Sequence, residues 1–266
     1  MFDALIRRTK LKPLLSTLIF IIVVCYVVAL TSISHAREVD KSLVLYLPFD
    51  EGRGDVAKDA SQYGHDGKLV KKPKWVDGKI GKALEFDGTV GNYVEVPVTD
   101  ELQLREVFTA EFWVKRAASQ IRTWNYMVSA GSLKWAVIYN TDQRVYIYTR
   151  SAGNWARRLV TDKQLTTDWT HIAATYDVKK GVELYFNAEK VGTGAKPPIV
   201  DEIDIACMVG ARAPGQEFFT GIIDEVALYN RVLGIDEIKR DMEAVGGTAV
   251  LPQDKLTTTW GKIKEK

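Results

Sequence analysis

The sequence predicts an all-β protein, an antiparallel two-sheet jelly-roll sandwich with one short C-terminal helix. Three observations point there: short runs rich in Val, Ile, Tyr, Phe and Thr, clusters of Gly, Asp and Asn between them, and only one stretch with helical periodicity. The first run is LVLYLPF, Leu43 to Phe49, closed by the turn residues of Asp50 to Gly54. Ala83 to Phe86 and Tyr93 to Val96 follow, on either side of the turn-forming Asp87 to Asn92. Thr109 to Val114, Trp135 to Tyr139 and Val145 to Thr149 make the middle of the chain, the last ending before Ala152 to Asn154. His171 to Tyr176 and Val182 to Phe186 flank Asp177 to Gly181, and Ile205 to Val209 and Ile222 to Tyr229 complete the series.

Ile235, Ile238 and Met242 recur at helical spacing, with Gly234 as a permissive N-cap and Asp236 and Glu237 placing negative charge in the first turn. Gly246-Gly247 stops that helix, so the sandwich is expected over residues 43–245. Residues 246–266, with Pro252, consecutive threonines and Trp260 among charges, read as an extension.

The first 36 residues read as a signal peptide. Arg7, Arg8, Lys10 and Lys12 give a basic start, Leu14 to Leu30 is apolar apart from Ser16 and Thr17, and Ser34-His35-Ala36 offers a small-x-small cleavage site. Residues 37–42 form a short polar leader. The expected location is secreted or in the cell envelope. Membrane attachment would come only through an uncleaved N-terminal segment, whose apolar run is at the short end of the roughly 17 to 25 residues that span a bilayer.

The whole chain of 266 residues carries 36 basic and 34 acidic side chains. Four of the basic ones leave with the signal peptide against Asp3 alone, so the remainder is nearly balanced and slightly acidic. Such a balance argues against nucleic-acid and anionic-membrane partners, which call for a basic excess or patch. Cys25 leaves as well, so Cys207 has no intrachain disulfide partner; in the apolar stretch Ile203 to Val209 it is expected as a buried, inert thiol. The fold must therefore rest on its core rather than on covalent staples.

An ordered series of short motifs runs over about 200 residues. It opens with Phe49-Asp50-Glu51-Gly52, Asp59-Ala60-Ser61 and Gly64-His65-Asp66-Gly67. It continues through Gly78-Lys79-Ile80-Gly81-Lys82-Ala83-Leu84-Glu85-Phe86-Asp87-Gly88, TAEFWVK at Thr109 to Lys115 and WTHIAATYD at Trp169 to Asp177. It closes with FTGIIDEVALYNRVL, Phe219 to Leu233. This series resembles the laminin-G-like jelly-roll family within the concanavalin A-like lectin and glucanase superfamily. Two departures are Asn187-Ala188, where the family usually turns with Asn-Gly, and Gly234, where it usually has Ser. The resemblance implies a sandwich used mostly as a binding module, for glycans or for other extracellular proteins.

Catalysis by the glucanase branch would need two carboxylates about 5 to 5.5 Å apart in a retaining enzyme. They typically stand on one strand as Glu-x-Asp-x-Glu, because alternate residues share a face. Glu202-Ile203-Asp204-Ile205 begins such a motif, but Ala206, Cys207 and Met208 follow and the second glutamate is missing. After the signal peptide only His65 and His171 remain, in different kinds of segment, which suggests neither a histidine metal site nor a hydrolytic triad. No catalytic residue is assigned.

A structural calcium ion is the one cofactor expected. Alternation would place Ile222, Asp224, Val226 and Leu228 on one face, leaving the Asp224 carboxylate among apolar neighbours and in need of a cation or several backbone N–H donors. Asp50 ends the first strand, and the resemblance brings the two terminal strands together, so Asp50 and Asp224 are the candidate metal pair.

A glycan surface should combine aromatic planes with polar groups, because sugars offer C–H faces and hydroxyls. The middle of the chain has that mixture. Tyr146, Tyr148 and Arg150 alternate onto one face opposite Val145, Ile147 and Thr149, and Trp124, Tyr126 and Trp155 stand in neighbouring segments. The competing reading is that these rings fill the sandwich. The expected function is non-catalytic recognition of carbohydrate or glycoconjugate, with protein adhesion as the alternative and glycan hydrolysis behind both.

Overall fold

A computed structural model describes residues 40–88, 91–119, 121–132, 134–212 and 216–243. The expected signal peptide at residues 1–36 and the extension at 246–266, Trp260 included, lie outside them. Two eight-stranded antiparallel sheets form the body. In the first, β14 (Glu189–Gly194), β13 (Gly181–Phe186), β12 (Thr170–Asp177), β7 (Val107–Arg116), β16 (Thr220–Tyr229), β5 (Lys82–Asp87) and β4 (Lys74–Asp77) lie side by side, and β1 (Leu43–Leu47) also pairs with β16. The second runs β11 (Asn154–Gln164), β10 (Arg144–Ser151), β9 (Trp135–Asn140), β8 (Trp124–Ala130), β15 (Cys207–Val209), β6 (Tyr93–Val96), β3 (Gly67–Val70) and β2 (Val56–Ala57). The jelly-roll sandwich expected from the sequence is the fold observed.

Alternation builds the core. On β7, Phe108, Ala110, Phe112 and Val114 face inward, and on β12 Ile172, Ala174 and Tyr176 meet them, all essentially without solvent contact. Phe108 stacks on Tyr176 with centroids 4.9 Å apart and tilts against Trp135 at 5.0 Å. Phe219 meets Phe86 and Tyr139 edge-on at 6.2 and 5.9 Å. Cys207 lies in the same core, its Sγ–H donating to the Ser129 carbonyl at 3.2 Å, and burial pushes its thiol up to about 12.

On the outer face of the first sheet lies α1 (Ile235–Glu243), whose Ile238 is fully buried in a cluster with Leu43, Tyr46, Ala227, Tyr229 and Leu233. Its start is closed by the Glu237 carboxylate, which accepts the Gly234 N–H at 2.8 Å, while the Gly234 carbonyl accepts from Ile238 at 3.0 Å. Arg231 ties this end together by donating to Ser42 Oγ, Asp40 and Glu237 at 2.7 to 2.8 Å.

One expectation about side-chain direction is corrected. Asp224 does not share a face with Val226 and Leu228, because the register slips between Asp224 and Ala227 and Glu225 adopts φ 53°, an interruption that inserts an extra residue. Ile223, Val226 and Leu228 enter the inter-sheet core, and Ala227 and Tyr229 point outward.

Candidate functional site

The second sheet carries the aromatic face. On β10, Val145, Ile147 and Thr149 are buried and Tyr146, Tyr148 and Arg150 stand on the opposite side; on β9, Trp135, Val137 and Tyr139 point inward, leaving Ala136 and Ile138 outside. Antiparallel register sets Tyr146 beside Ile138 and Tyr148 beside Ala136, while Tyr126 of β8 also pairs with Ile138. Tyr126, Ala136 and Ile138 thereby form an apolar floor, against which half-buried Trp124, Tyr148 and Trp155 pack.

The rings contact one another in a series. Tyr148 stacks on Trp155 with centroids 5.1 Å apart and planes 16° from parallel, and Trp124 stands edge-on to Tyr148 at 5.8 Å and to Tyr146 at 5.9 Å. Tyr146 lies 6.2 Å from Tyr148. A trough of about 360 Å³ opens over this face, lined by Trp124, Tyr126, Ile138, Tyr148, Trp155, Arg212 and Glu217. That volume lies within the range of small-ligand sites.

Five of the six residues expected at the ligand surface thus meet in one array. Tyr146 braces it from beside, its hydroxyl donating to Asp142 Oδ2 at 2.5 Å and its ring 5.9 Å from the Arg157 guanidinium. Arg150 continues the face but does not line the trough; its Nε donates to the Gly153 carbonyl at 3.2 Å and lies 3.7 Å from Asp201. Asp201 also accepts the Ala152 and Gly153 N–H groups, so Arg150 helps hold the turn between β10 and β11. Tyr126 loses solvent on the floor, and that burial pushes its hydroxyl up to about 12, with nearby Arg212 opposing the shift and Glu217 adding to it.

Ile138, Arg212 and Glu217 were not among the expected site residues. The stretch from Gly210 to Glu217 has the Gly and Pro of a loop, but nothing in it says that Arg212 and Glu217 reach the face built by β8 and β10. Arg212 and Gln216 exchange backbone hydrogen bonds at 2.8 and 2.9 Å.

The candidate metal pair meets one loop. Asp50 Oδ1 accepts the Lys82 N–H at 2.9 Å and Asp224 Oδ2 accepts the Ile80 N–H at 3.0 Å. Glycine is needed there, since a Cβ at Gly78 would lie 2.6 Å from Asp224 Oδ2 and one at Gly81 would lie 2.1 Å from Asp50 Oδ1. Burial, reinforced by the charges of Glu225 and Asp50, pushes the Asp224 carboxyl up to about 8, and its Oδ1 is buried without a hydrogen-bond partner. Among the described residues no group of three or more His, Cys, Asp or Glu is arranged to hold a metal ion, so any cation here would need backbone carbonyls or water to complete its shell.

The incomplete carboxylate motif lies mostly ahead of β15 rather than on a strand. Asp204 there accepts the Ser132 N–H at 3.3 Å and pairs with Lys134 at 3.2 Å, tying down the turn between β8 and β9.

A laminin G-like family model described as the concanavalin A-like lectin/glucanases superfamily matches residues 87–239, more than half of the chain. The chain belongs to that family. Pappalysin-1 of Mus musculus is 32% identical over 106 residues, which cover 38% of this chain and 6% of that protein, so the chain spans a small fraction of that relative. Among solved structures, domain 4 of AbnA, a GH43 extracellular arabinanase from Geobacillus stearothermophilus, in complex with arabinotriose, superposes with a TM-score of 0.60 at 20% identity over 76% of this chain and 98% of that one. The Trypanosoma rangeli sialidase in complex with the inhibitor DANA gives 0.56 at 17% identity over 80% of this chain and 33% of its own. At these identities the likeness is one of fold, and the fold is shared by a domain in complex with arabinotriose and by part of a sialidase.

Proposed function

We propose that this chain is an exported, non-catalytic recognition module that binds a glycan in the aromatic trough of its second sheet. The observation that carries the reading is the stack of Tyr148 on Trp155 beside half-buried Trp124, over a floor of Tyr126 and Ile138. Faces of this kind suit the C–H surfaces of sugar rings, and polar groups at the rim suit their hydroxyls. The fold shared with a domain seen holding arabinotriose supports the same reading. Non-catalytic action is favoured because the trough's lining includes one carboxylate, Glu217, where the paired mechanism needs two. Export rests on the basic start and apolar run of the N-terminal 36 residues.

A glycan array probed with the purified protein, arabinotriose included, tests this. Selective binding is expected, and Trp124→Ala with Trp155→Ala should weaken it about 10-fold or more, taking roughly 0.5–1.5 kcal/mol for each aromatic ring removed from the sugar's face. A blank array, or undiminished affinity in the double variant, would move the assignment to a protein-adhesion module.

A structural calcium ion at Asp50 and Asp224 belongs to the same proposal. The buried, unpartnered Asp224 Oδ1 is the observation that favours it, because a divalent cation would hold that carboxyl ionised in a place where burial disfavours its charge. Calcium should raise the melting temperature relative to chelator in the wild-type protein and not in Asp224→Asn. Equal melting with calcium and with chelator would leave backbone N–H donors as the only support for this carboxylate.

A further inference from the structure

Two charged side chains border the aromatic trough from outside the strands that build it. Arg212 and Glu217 sit at the two ends of the loop between β15 and β16, and both are half-buried against the cavity. Opposite charges this close in sequence would ordinarily satisfy one another, yet among the described residues no ion pair joins them. The Arg212 guanidinium instead gives one Nη2–H to the Gln216 side chain and also meets the Tyr126 hydroxyl on the trough floor. Its Nε–H is buried without any acceptor, an arrangement that costs stability. Glu217 is held at φ 51°, a left-handed conformation that a side-chain-bearing residue adopts only at a cost. A guanidinium and a carboxylate that do not pair with each other thus line one cavity.

We propose that Arg212 and Glu217 form a divided clamp that selects neutral saccharides by gripping a neighbouring pair of hydroxyls on a ring stacked in the trough. This rests on the glycan-recognition reading and adds the ligand's charge class to it. A hydroxyl both donates and accepts, so one of two adjacent hydroxyls can accept from the Arg212 guanidinium while the other donates to a Glu217 carboxylate oxygen. Neutrality follows from the summed charge at the rim. A carboxylate-bearing sugar would gain from Arg212 and be repelled by Glu217, whereas a neutral diol uses both. The aromatic rings supply affinity without reading hydroxyl positions, which leaves selectivity to these two side chains.

The experiment is calorimetric titration of the full chain with cellotriose, maltotriose and xylotriose as neutral probes and trigalacturonate as the acidic one. Wild type, Arg212→Ala, Glu217→Ala and the Trp124/Trp155 double alanine variant are compared. Binding of at least one neutral trisaccharide is expected, reduced about 10-fold or more by either clamp substitution, as loss of a charge-assisted hydrogen bond implies. Because Arg212 also bonds Gln216 and its removal could loosen the loop, Glu217→Gln gives the decisive second readout: it should weaken the neutral sugar and improve trigalacturonate. Neutral binding that needs the tryptophans but is indifferent to both clamp residues would overturn the clamp and leave the trough standing. Preference of the wild type for trigalacturonate would overturn the neutral class. Failure of every trisaccharide to bind would remove the glycan reading and the clamp with it.

Discussion

His171 is buried on the outer face of the first sheet, edge-on to Trp113 at 5.3 Å, and Lys79 lies over the same Trp113 ring at 4.6 Å from its centroid. The His171 Nδ1 has no hydrogen-bond partner and burial lowers the imidazole to about 3, so the folded protein holds it neutral. In the unfolded chain it takes a proton near its ordinary 6.5. Above that pH the residue imposes no titration cost; as the pH falls from 6.5 toward 3 the unfolded state binds the proton that the native state refuses, and stability is lost. His171→Gln should therefore flatten the acid limb, the wild type losing about 2 kcal/mol more than the variant between pH 6.5 and pH 5. Urea midpoints at the two pH values measure it, and parallel losses in both proteins would refute the assignment. The sequence places His171 inside an apolar strand, where a hydrogen-bonded ring would be the ordinary arrangement; its backbone N–H does donate to Asn187 Oδ1, but its ring nitrogen Nδ1 does not find a partner.

At the scale of elements, the turn from β13 to β14 is a two-residue hairpin, with Asn187 at φ 49° and Ala188 at φ 61°. Two consecutive left-handed residues are the geometry that favours Asn-Gly, and the second position here carries a methyl group. Ala188→Gly should stabilise the protein by roughly 1 kcal/mol, raising the melting temperature by about 2–4 °C. No change would mean that the alanine's packing against the α1 side of the sheet offsets its backbone strain. The strands missed in the sequence have a related physical cause. The four strands that end the two sheets, β14, β4, β11 and β2, escaped notice because such strands are short or carry charges that discourage further pairing, as Arg157, Arg158, Asp162 and Lys163 do on β11. In β8 a register slip between Tyr126 and Val128 breaks the alternation that would have marked it. The ten expected strands all have counterparts in the fold, because they are the ones buried strongly enough to concentrate β-branched and aromatic residues.

For the molecule as a whole, cohesion depends on the layer between the sheets, since the described part contains a single free cysteine and no bridge to share the load. Phe219 spans that layer between Phe86 and Tyr139 and is fully buried. Truncating it to alanine removes packing against both sheets at once, at about 3–5 kcal/mol, a large share of the roughly 5–15 kcal/mol that holds a native domain together. The urea midpoint should fall by roughly 1–2 M with an unchanged slope. A much smaller fall would show that the interior collapses around the missing ring.

By itself the amino-acid sequence determined the fold class, the inward and outward sides of β10 and the one helix, because period-two and period-3.6 burial patterns are local properties of the chain. The same holds for the grouping of Tyr146 and Tyr148, which follows from alternation on one strand. Tertiary structure alone decided which rings became neighbours and which charged residues joined them. Trp124, Trp155, Arg212 and Glu217 come from three separate segments, and only the antiparallel register of β8 to β11 and the placement of Arg212 and Glu217 after β15 set them around one trough. Arg150 fell outside it for the same reason, since a turn carboxylate reached its guanidinium. Asp224 turned away from Val226 because a single left-handed residue shifted the alternation, an event fixed by pairing with β7 and not by the pattern of apolar residues.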